Sequence, residues 1–361
     1  MKKVFILCLL GIFSCSQLCE RSSHHSNRDK FTVIESYDSK TFEPETEAST
    51  TLVSEQESGV SSETVKAQEL TPKLKKYCGD IEQSFKKYKW GKSSCEDFSW
   101  LHVRNSVLGK PLIWIVFGNE TLIEKQPMNT TIVMCGVHGD EITPVKFCFD
   151  LIHDLQKNPG QLAENELLVV APIVNPDSFF IQKPTRTNAR GVDVNRNFPT
   201  KDWNANAIKE WKKRHASDKR RNPGKRAGSE PEVTFQVNLI KRYTPSKIVS
   251  VHSPLTIIDY DGPSIRSDKA KDLEHHAIEA NELLYMMSEK AKGYKVSNYP
   301  HFPGSLGNWA GKELEIPTYT LELPSSDHTK TNEYWETFGP AVHYAIKHDM
   351  RMAPKKQAAR D

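Results

Sequence analysis

Apolar positions along this chain fall into two regimes. Between residues 20 and 74 they are sparse and follow no sustained period. From Lys75 onward, short apolar runs alternate with stretches whose apolar residues recur about every three to four positions. The runs predict strands at Pro111–Phe117, Thr131–Val137, Glu166–Ile173, Lys247–Val251 and Thr318–Leu323. The stretches between them predict helices over Ile142–Leu155, Glu232–Arg242 and His276–Lys292. Ser229-Glu230-Pro231-Glu232 offers a start for the second helix, with Ser229 as cap and Pro231 in the first turn. Strands alternating with helices predict an α/β sheet covered by helices on both faces.

The N-terminus places Lys2 and Lys3 before an apolar run too short to span a bilayer comfortably, so residues 1–19 read as an export signal. Ile12-Phe13-Ser14-Cys15 resembles a lipobox, which would lipidate Cys15 and anchor the chain to a membrane; ordinary cleavage near Ser14–Ser16 is the alternative. The expected destination is the periplasm or the outer membrane of a bacterium. Residues 20–74 are rich in Ser, Thr and Glu and bury too little apolar surface to offset ordering entropy. They read as a disordered tether with a span of about 40 Å. The expected folded body covers residues 75–355, followed by a tail at 356–361.

Charge changes this picture little. The net charge is +3, of which residues 1–19 carry +2 and residues 20–74 carry −5 (11 acids, 6 bases), leaving +6 on the body. That balance indicates no nucleic-acid partner, and nothing in the pattern points to a protein partner. One segment, Lys209–Arg226, holds nine Lys or Arg. It reads as a solvated loop or as an attractor of polyanionic wall polymer. Of the seven cysteines, Cys78 and Cys95 flank a short helix-like stretch and suit a disulfide in an exported protein. Cys135 and Cys148 lie in apolar segments and read as small core residues.

The candidate chemistry sits at strand ends. The strand candidate at 131–137 runs into His138-Gly139-Asp140-Glu141. The next is followed by Asn175-Pro176-Asp177, then Arg186 and Asn195-Arg196-Asn197; another ends at His252, and the last contains Glu322. In open α/β sheets, sites form beyond the carboxyl ends of strands, so these segments are expected at one crevice. A catalytic zinc takes three protein ligands of the imidazole and carboxylate kind. His138 and Glu141 can share one ion from a single turn, with Gly139 allowing the bend. His252 is the natural third ligand. Taken singly, a His-x-x-Glu pair is a weak signal and an isolated histidine is more often a core residue.

In this order, however, His138-x-x-Glu141, Arg186, Asn195-Arg196, His252 and Glu322 resemble the zinc metallocarboxypeptidase family, and within it the murein peptide amidase branch. The stretches that carry the resemblance are "GKPLIWI", "GVHGDE", "VNPDSF", "GVDVNRNFP", "GSEPE", "VSVHSPL", "PGSLGNW" and "TYTLELP", from about Leu108 to Asp327. The resemblance implies a single-domain, mixed, mostly parallel twisted sheet of zinc carboxypeptidase type. It implies one zinc ion per chain on His138, Glu141 and His252, with Glu322 as general base. Arg186 would stabilise the oxyanion, and Asn195 and Arg196 would grip a substrate carboxylate. Tyr299, a few residues before Gly304-Ser305, stands where digestive relatives carry a mobile tyrosine, with His301 as a second possible donor.

The same resemblance implies peptidoglycan stem peptides as substrate and the γ-D-glutamyl–meso-diaminopimelate bond as the target. The export signal, the tether and the segment holding Cys78 and Cys95 depart from the cytoplasmic members and leave the bond open. A carboxypeptidase acting on stem peptides or ordinary peptides is the alternative, and a non-catalytic wall-binding lipoprotein is the alternative of another class.

Overall fold

The computed structural model describes residues 70–263 and 271–350, which belong to one compact unit. The expected signal, its Cys15, the tether up to residue 69 and the tail 356–361 lie outside the described residues.

Eight strands form one sheet: β1 (Leu101–Asn105), β2 (Pro111–Phe117), β3 (Asn129–Met134), β4 (Glu166–Ala171), β5 (Lys247–His252), β6 (Ile257–Asp261), β7 (Val296–Ser297) and β8 (Thr318–Glu322). Their order is β1-β2-β4-β3-β5-β8-β6-β7. The four central strands β4, β3, β5 and β8 run parallel. The margins turn antiparallel, at β1/β2/β4 on one side and β8/β6 on the other, and β7 runs parallel to β6. The sheet is therefore mixed with a parallel centre, as expected. The apolar runs located the central strands and β2. They did not locate β1, which is largely exposed, β6, which carries two aspartates, or the two-residue β7.

The helices are α1 (Pro72–Tyr88), α2 (Thr143–Lys157), α3 (Pro176–Phe179), α4 (Ile208–Arg214), α5 (Pro231–Tyr243), α6 (Lys271–Lys290) and α7 (Thr331–Lys347). The first begins just ahead of the expected boundary at Lys75. Its start is written locally: Thr71 accepts a hydrogen bond from Leu74 N, and Pro72 fills the first turn, where a missing N–H costs nothing. The start of α5 differs from expectation. Its capping position is Glu230, without a side-chain cap, while the Ser229 hydroxyl donates to Glu230 Oε1 instead.

Alternation along each strand divides the core in two. Val249 and Val251 of β5 and Tyr319 and Leu321 of β8 join the apolar cluster of α1, α2, α6 and α7. Ile248, Leu167 and Val169 join the opposite cluster, built on α5 with Leu306 and Trp309. Neither β6 nor β8 contributes an apolar side chain to that second core. On this face they present Asp259, Asp261, Thr320 and Glu322, and α5 does not cover them; the main cavity opens there.

Two disulfides brace the body. Cys78–Cys95, a pairing the sequence allows without requiring, is formed, although α1 runs through Cys78 rather than lying between the two cysteines. Cys135 and Cys148, read from the sequence as unpaired core residues, are also joined, with Cα atoms 6.2 Å apart. The apolar neighbourhood was right, since both are fully buried. Proximity of the end of β3 to α2 is a tertiary fact that spacing does not reveal.

Candidate metal centre

The turn after β3 begins the site. Gly136 takes a left-handed φ of 61° that L side chains rarely adopt, and its carbonyl accepts from Asn175 N. Gly139 serves a different purpose from the one its position suggested. A Cβ there would lie 2.4 Å from the carbonyl carbon of Ser178, so glycine is required for close approach to α3 and not for the bend. Asn175 adds support by donating toward the carbonyl of Val137. The result aims His138 and Glu141 into one crevice.

His252 ends β5 and Glu322 ends β8, and the two are register partners across adjacent parallel strands. Neighbouring strands lie about 4.8 Å apart, so the fold sets an imidazole and a carboxyl side by side on one face. The turn that follows β5 contains a cis Ser253–Pro254 bond. Its amides face the acids: Ser253 N donates to Glu141 Oε2 at 3.3 Å and Leu255 N to Glu322 Oε2 at 3.3 Å.

His138, Glu141 and His252 are all buried, and each offers a ligand atom within 4.8 Å of the others. Glu141 bridges the two rings, Oε1 at 2.8 Å from His138 Nδ1 and Oε2 at 2.9 Å from His252 Nδ1. The far nitrogens are held from behind. His138 Nε2 meets Asp193 Oδ1 at 3.1 Å, and His252 Nε2 meets the Ser250 hydroxyl at 2.9 Å. Two oriented imidazoles and one carboxylate, with their Nδ1 atoms facing a common point, fit a three-ligand zinc site.

The charges are tightly balanced. Burial opposes ionisation of Glu141, yet the two adjacent imidazoles hold its carboxyl well below the usual range. Burial likewise opposes the charge on Asp193, and Arg186 and His138 overcome it. Burial raises the Glu322 carboxyl, partly offset by His252 and reinforced by Glu141. A carboxyl so raised is suited to receiving and giving back a proton.

Of the other predicted residues, Arg186 reaches the centre. Its Nε donates to Asp193 Oδ2 at 2.9 Å and its Nη1 to Glu141 Oε1 at 3.1 Å, which fixes the guanidinium plane. Asn195 and Arg196 sit on a 3-10 turn, Val194–Arg196, at the wall of the same cavity. The Asn195 side-chain carbonyl accepts from Leu306 N at 2.8 Å. Arg196 stacks 4.3 Å over the Phe302 ring, and burial lowers its guanidinium to about 10. Tyr299 is 42% exposed at the cavity, its amide donating to Asp259. His301, also at the cavity, pairs with Asp261.

Some expected members do not arrive. Asp177 is buried away from the cavity, accepting from the Ser106 hydroxyl and Leu108 N. Asn197 holds the carbonyls of Pro223 and Arg226. Asp193 is the residue behind the centre that sequence reasoning passed over, in contact with His138 and Arg186. It lies inside the quoted stretch "GVDVNRNFP", but it also accepts from Asn195 N at 3.0 Å, as any turn acid does. Only its position behind His138 and Arg186 gives it weight. His138, Glu141 and His252 share a cavity of about 620 Å³ with Arg186, Asn195, Arg196, Tyr299, His301 and Glu322.

A fold of this kind with a His/Glu/His centre at the carboxyl ends of its strands defines a metallopeptidase. The zinc carboxypeptidase family matches residues 92–345, and the chain belongs to that family. It is similar to Murein peptide amidase A of Escherichia coli (strain K12), at 30% identity over 236 residues, 64% of this chain and 84% of the relative. It is similar also to Murein peptide amidase A of Vibrio campbellii (strain ATCC BAA-1116), at 28% identity over 223 residues, 61% of this chain and 77% of the relative. Among solved structures, bovine thrombin-activatable fibrinolysis inhibitor in complex with tick carboxypeptidase inhibitor shares the fold. The TM-score is 0.55 at 21% identity, over 76% of this chain and 96% of that one.

Proposed function

We propose that this chain hydrolyses an amide bond in peptidoglycan stem peptides, at the γ-D-glutamyl–meso-diaminopimelate linkage, with zinc held by His138, Glu141 and His252. The observation that carries the reading is the convergence of those three buried ligand atoms, with Glu322 aligned beside His252. The similarity to proteins named murein peptide amidase supports the substrate class.

When bound, zinc supplies Lewis acidity, polarising the scissile carbonyl and making water more acidic. The chain's own residues do the rest. Glu322 takes a proton from the attacking water and passes it to the leaving amine. Arg186, locked by Asp193 and Glu141, offers its guanidinium to the developing oxyanion. Asn195 and Arg196 receive the carboxylate of the leaving diamino acid, and stacking on the Phe302 ring orients the planar Arg196 fork. Tyr299 covers the leaving side. Export belongs to the same proposal: the N-terminal signal pattern supports it, and two disulfides suit an oxidising compartment. A lipid on Cys15 would hold the enzyme at a membrane facing the wall.

Incubating the purified chain with defined muropeptides, with and without a chelator, tests the reading. Mass spectrometry is expected to show chelator-sensitive products split between glutamate and diaminopimelate, restored by added zinc. Release of a single terminal residue would instead establish the carboxypeptidase alternative. Wall association with no cleavage, unchanged in Glu322→Gln, would establish the binding alternative.

A further inference from the structure

The basic stretch Lys209–Arg226 has a place in the fold that its composition does not explain. It begins in α4, turns through Ala216 and Ser217 with left-handed φ values of 47° and 57°, and enters a 3-10 turn at Lys219–Arg221. Such values in non-glycine residues persist only where surrounding contacts impose them. At Ala216 and Ser217 those contacts are local, Ser217 N donating to the Trp211 carbonyl and Asp218 N to that of His215, while the later part of the segment is held from the candidate centre. Asp193 N donates to the carbonyl of Asn222 at 2.8 Å, so the acid that backs His138 also pins this segment. Asn197, just past the carboxylate clamp, holds the carbonyls of Pro223 and Arg226. Arg220 N donates to the Asp218 side chain, which orients the turn.

The consequence is a cation fixed at the cavity mouth. Arg220 Nη1 lies 2.6 Å from Asp140 Oδ2, one residue from the ligand Glu141. The Arg220 side chain is still 59% exposed and lines the cavity. A guanidinium carries five N–H donors, so one contact with Asp140 leaves donors for a ligand. Arg221, beside it, lines the same cavity. Arg196, over the Phe302 ring, lines it as well. The cavity is therefore lined by two guanidiniums with different anchors, Arg196 on the Phe302 ring and Arg220 on Asp140.

We propose that Arg220 is a specificity-determining residue that receives a second substrate carboxylate, on the acyl side of the scissile bond. The inference rests on the amidase reading above. A glutamyl residue linked through its γ-carboxyl keeps its α-carboxylate free, a few bonds from the carbonyl under attack. An ordinary α-linked peptide has no carboxylate at that place. Arg220 thus selects γ-linked acyl groups whose α-carboxyl is ionised and disfavours those in which it is a carboxamide.

Two γ-D-glutamyl–diaminopimelate peptides, identical except for a free α-carboxyl or an α-carboxamide on the glutamyl residue, test this. The wild-type chain is expected to favour the acid by about tenfold in kcat/KM, the scale of one exposed charge-assisted contact. Arg220→Gln is expected to abolish that preference by slowing the acid alone, and Arg220→Lys to keep part of it. Equal slowing of both peptides would overturn the inference and leave Arg220 as a latch for its loop; so would a wild type without preference. Calorimetric binding of both peptides to the metal-loaded Glu322→Gln chain, with and without Arg220→Gln, separates this from the reaction itself. If the wild type cleaves neither peptide, the amidase reading fails. A binding preference for the acid that vanishes with Arg220→Gln would still support the second anion point, and its absence would overturn it.

Discussion

His138 is held between two acids: its Nδ1 faces Glu141 Oε1 at 2.8 Å and its Nε2 faces Asp193 Oδ1 at 3.1 Å. The second contact fixes which nitrogen is free for a metal, and Asp193 extends the same control to Arg186. Asp193→Asn is therefore expected to weaken zinc binding about tenfold to a hundredfold, measured by chelator competition. The disulfide-braced fold should survive it, as circular dichroism would report.

Removing the base should separate chemistry from metal binding. Glu322→Gln preserves shape and sits outside the ligand set. Turnover is expected to fall by about 10²–10⁴-fold. Zinc content by elemental analysis should match that of the wild type.

Gly139 tests the metal turn by sterics alone. An added Cβ would meet the Ser178 carbonyl carbon at 2.4 Å and Phe179 N at 2.6 Å, both of them backbone atoms that cannot swing aside. Gly139→Ala is expected to cost about 1–3 kcal/mol of stability. It should also weaken zinc binding, because relief requires the turn carrying His138 and Glu141 to move. Thermal melts with and without zinc would show both effects.

The Cys135–Cys148 bridge closes a separation of 13 residues between the end of β3 and α2. Cys135→Ala with Cys148→Ala is expected to cost about 2–4 kcal/mol, read by denaturant unfolding. Mass mapping of the oxidised chain should recover this bridge together with Cys78–Cys95.

Lys247 gives stability a pH dependence. It is fully buried, and its amine donates to Asn129 Oδ1 and the His348 carbonyl. Burial lowers the ammonium to about 7, against 10.5 for an ordinary lysine. Between those values the unfolded chain binds the proton more tightly, so this residue's contribution to stability rises with pH from about 7 upward. Unfolding free energies at pH 7, 8 and 9 should increase more steeply for the wild type than for Lys247→Met.

Much of this was legible in order along the chain. The central strands announce themselves because both of their faces are buried, which writes unbroken apolar runs such as Leu167–Ala171. His138, Glu141, His252 and Glu322 were legible because polar residues stood at the ends of those runs. β6 was not, because its Asp259 and Asp261 face a cavity and break the apolar pattern. The mates of Cys135 and Cys148 were hidden for another reason: burial is a property of one residue, whereas a bridge is a property of two.

The sequence by itself determined the α/β class, the central strands and the residue types that can hold a metal, since these follow from local periodicity and side-chain chemistry. Tertiary structure alone decided which of them meet. It put Glu322 beside His252 through strand register, set Asp193 behind His138 across 55 residues, and folded Arg220 onto Asp140 across 80. Contacts at such separations are fixed by how the whole core closes, and no local pattern records them.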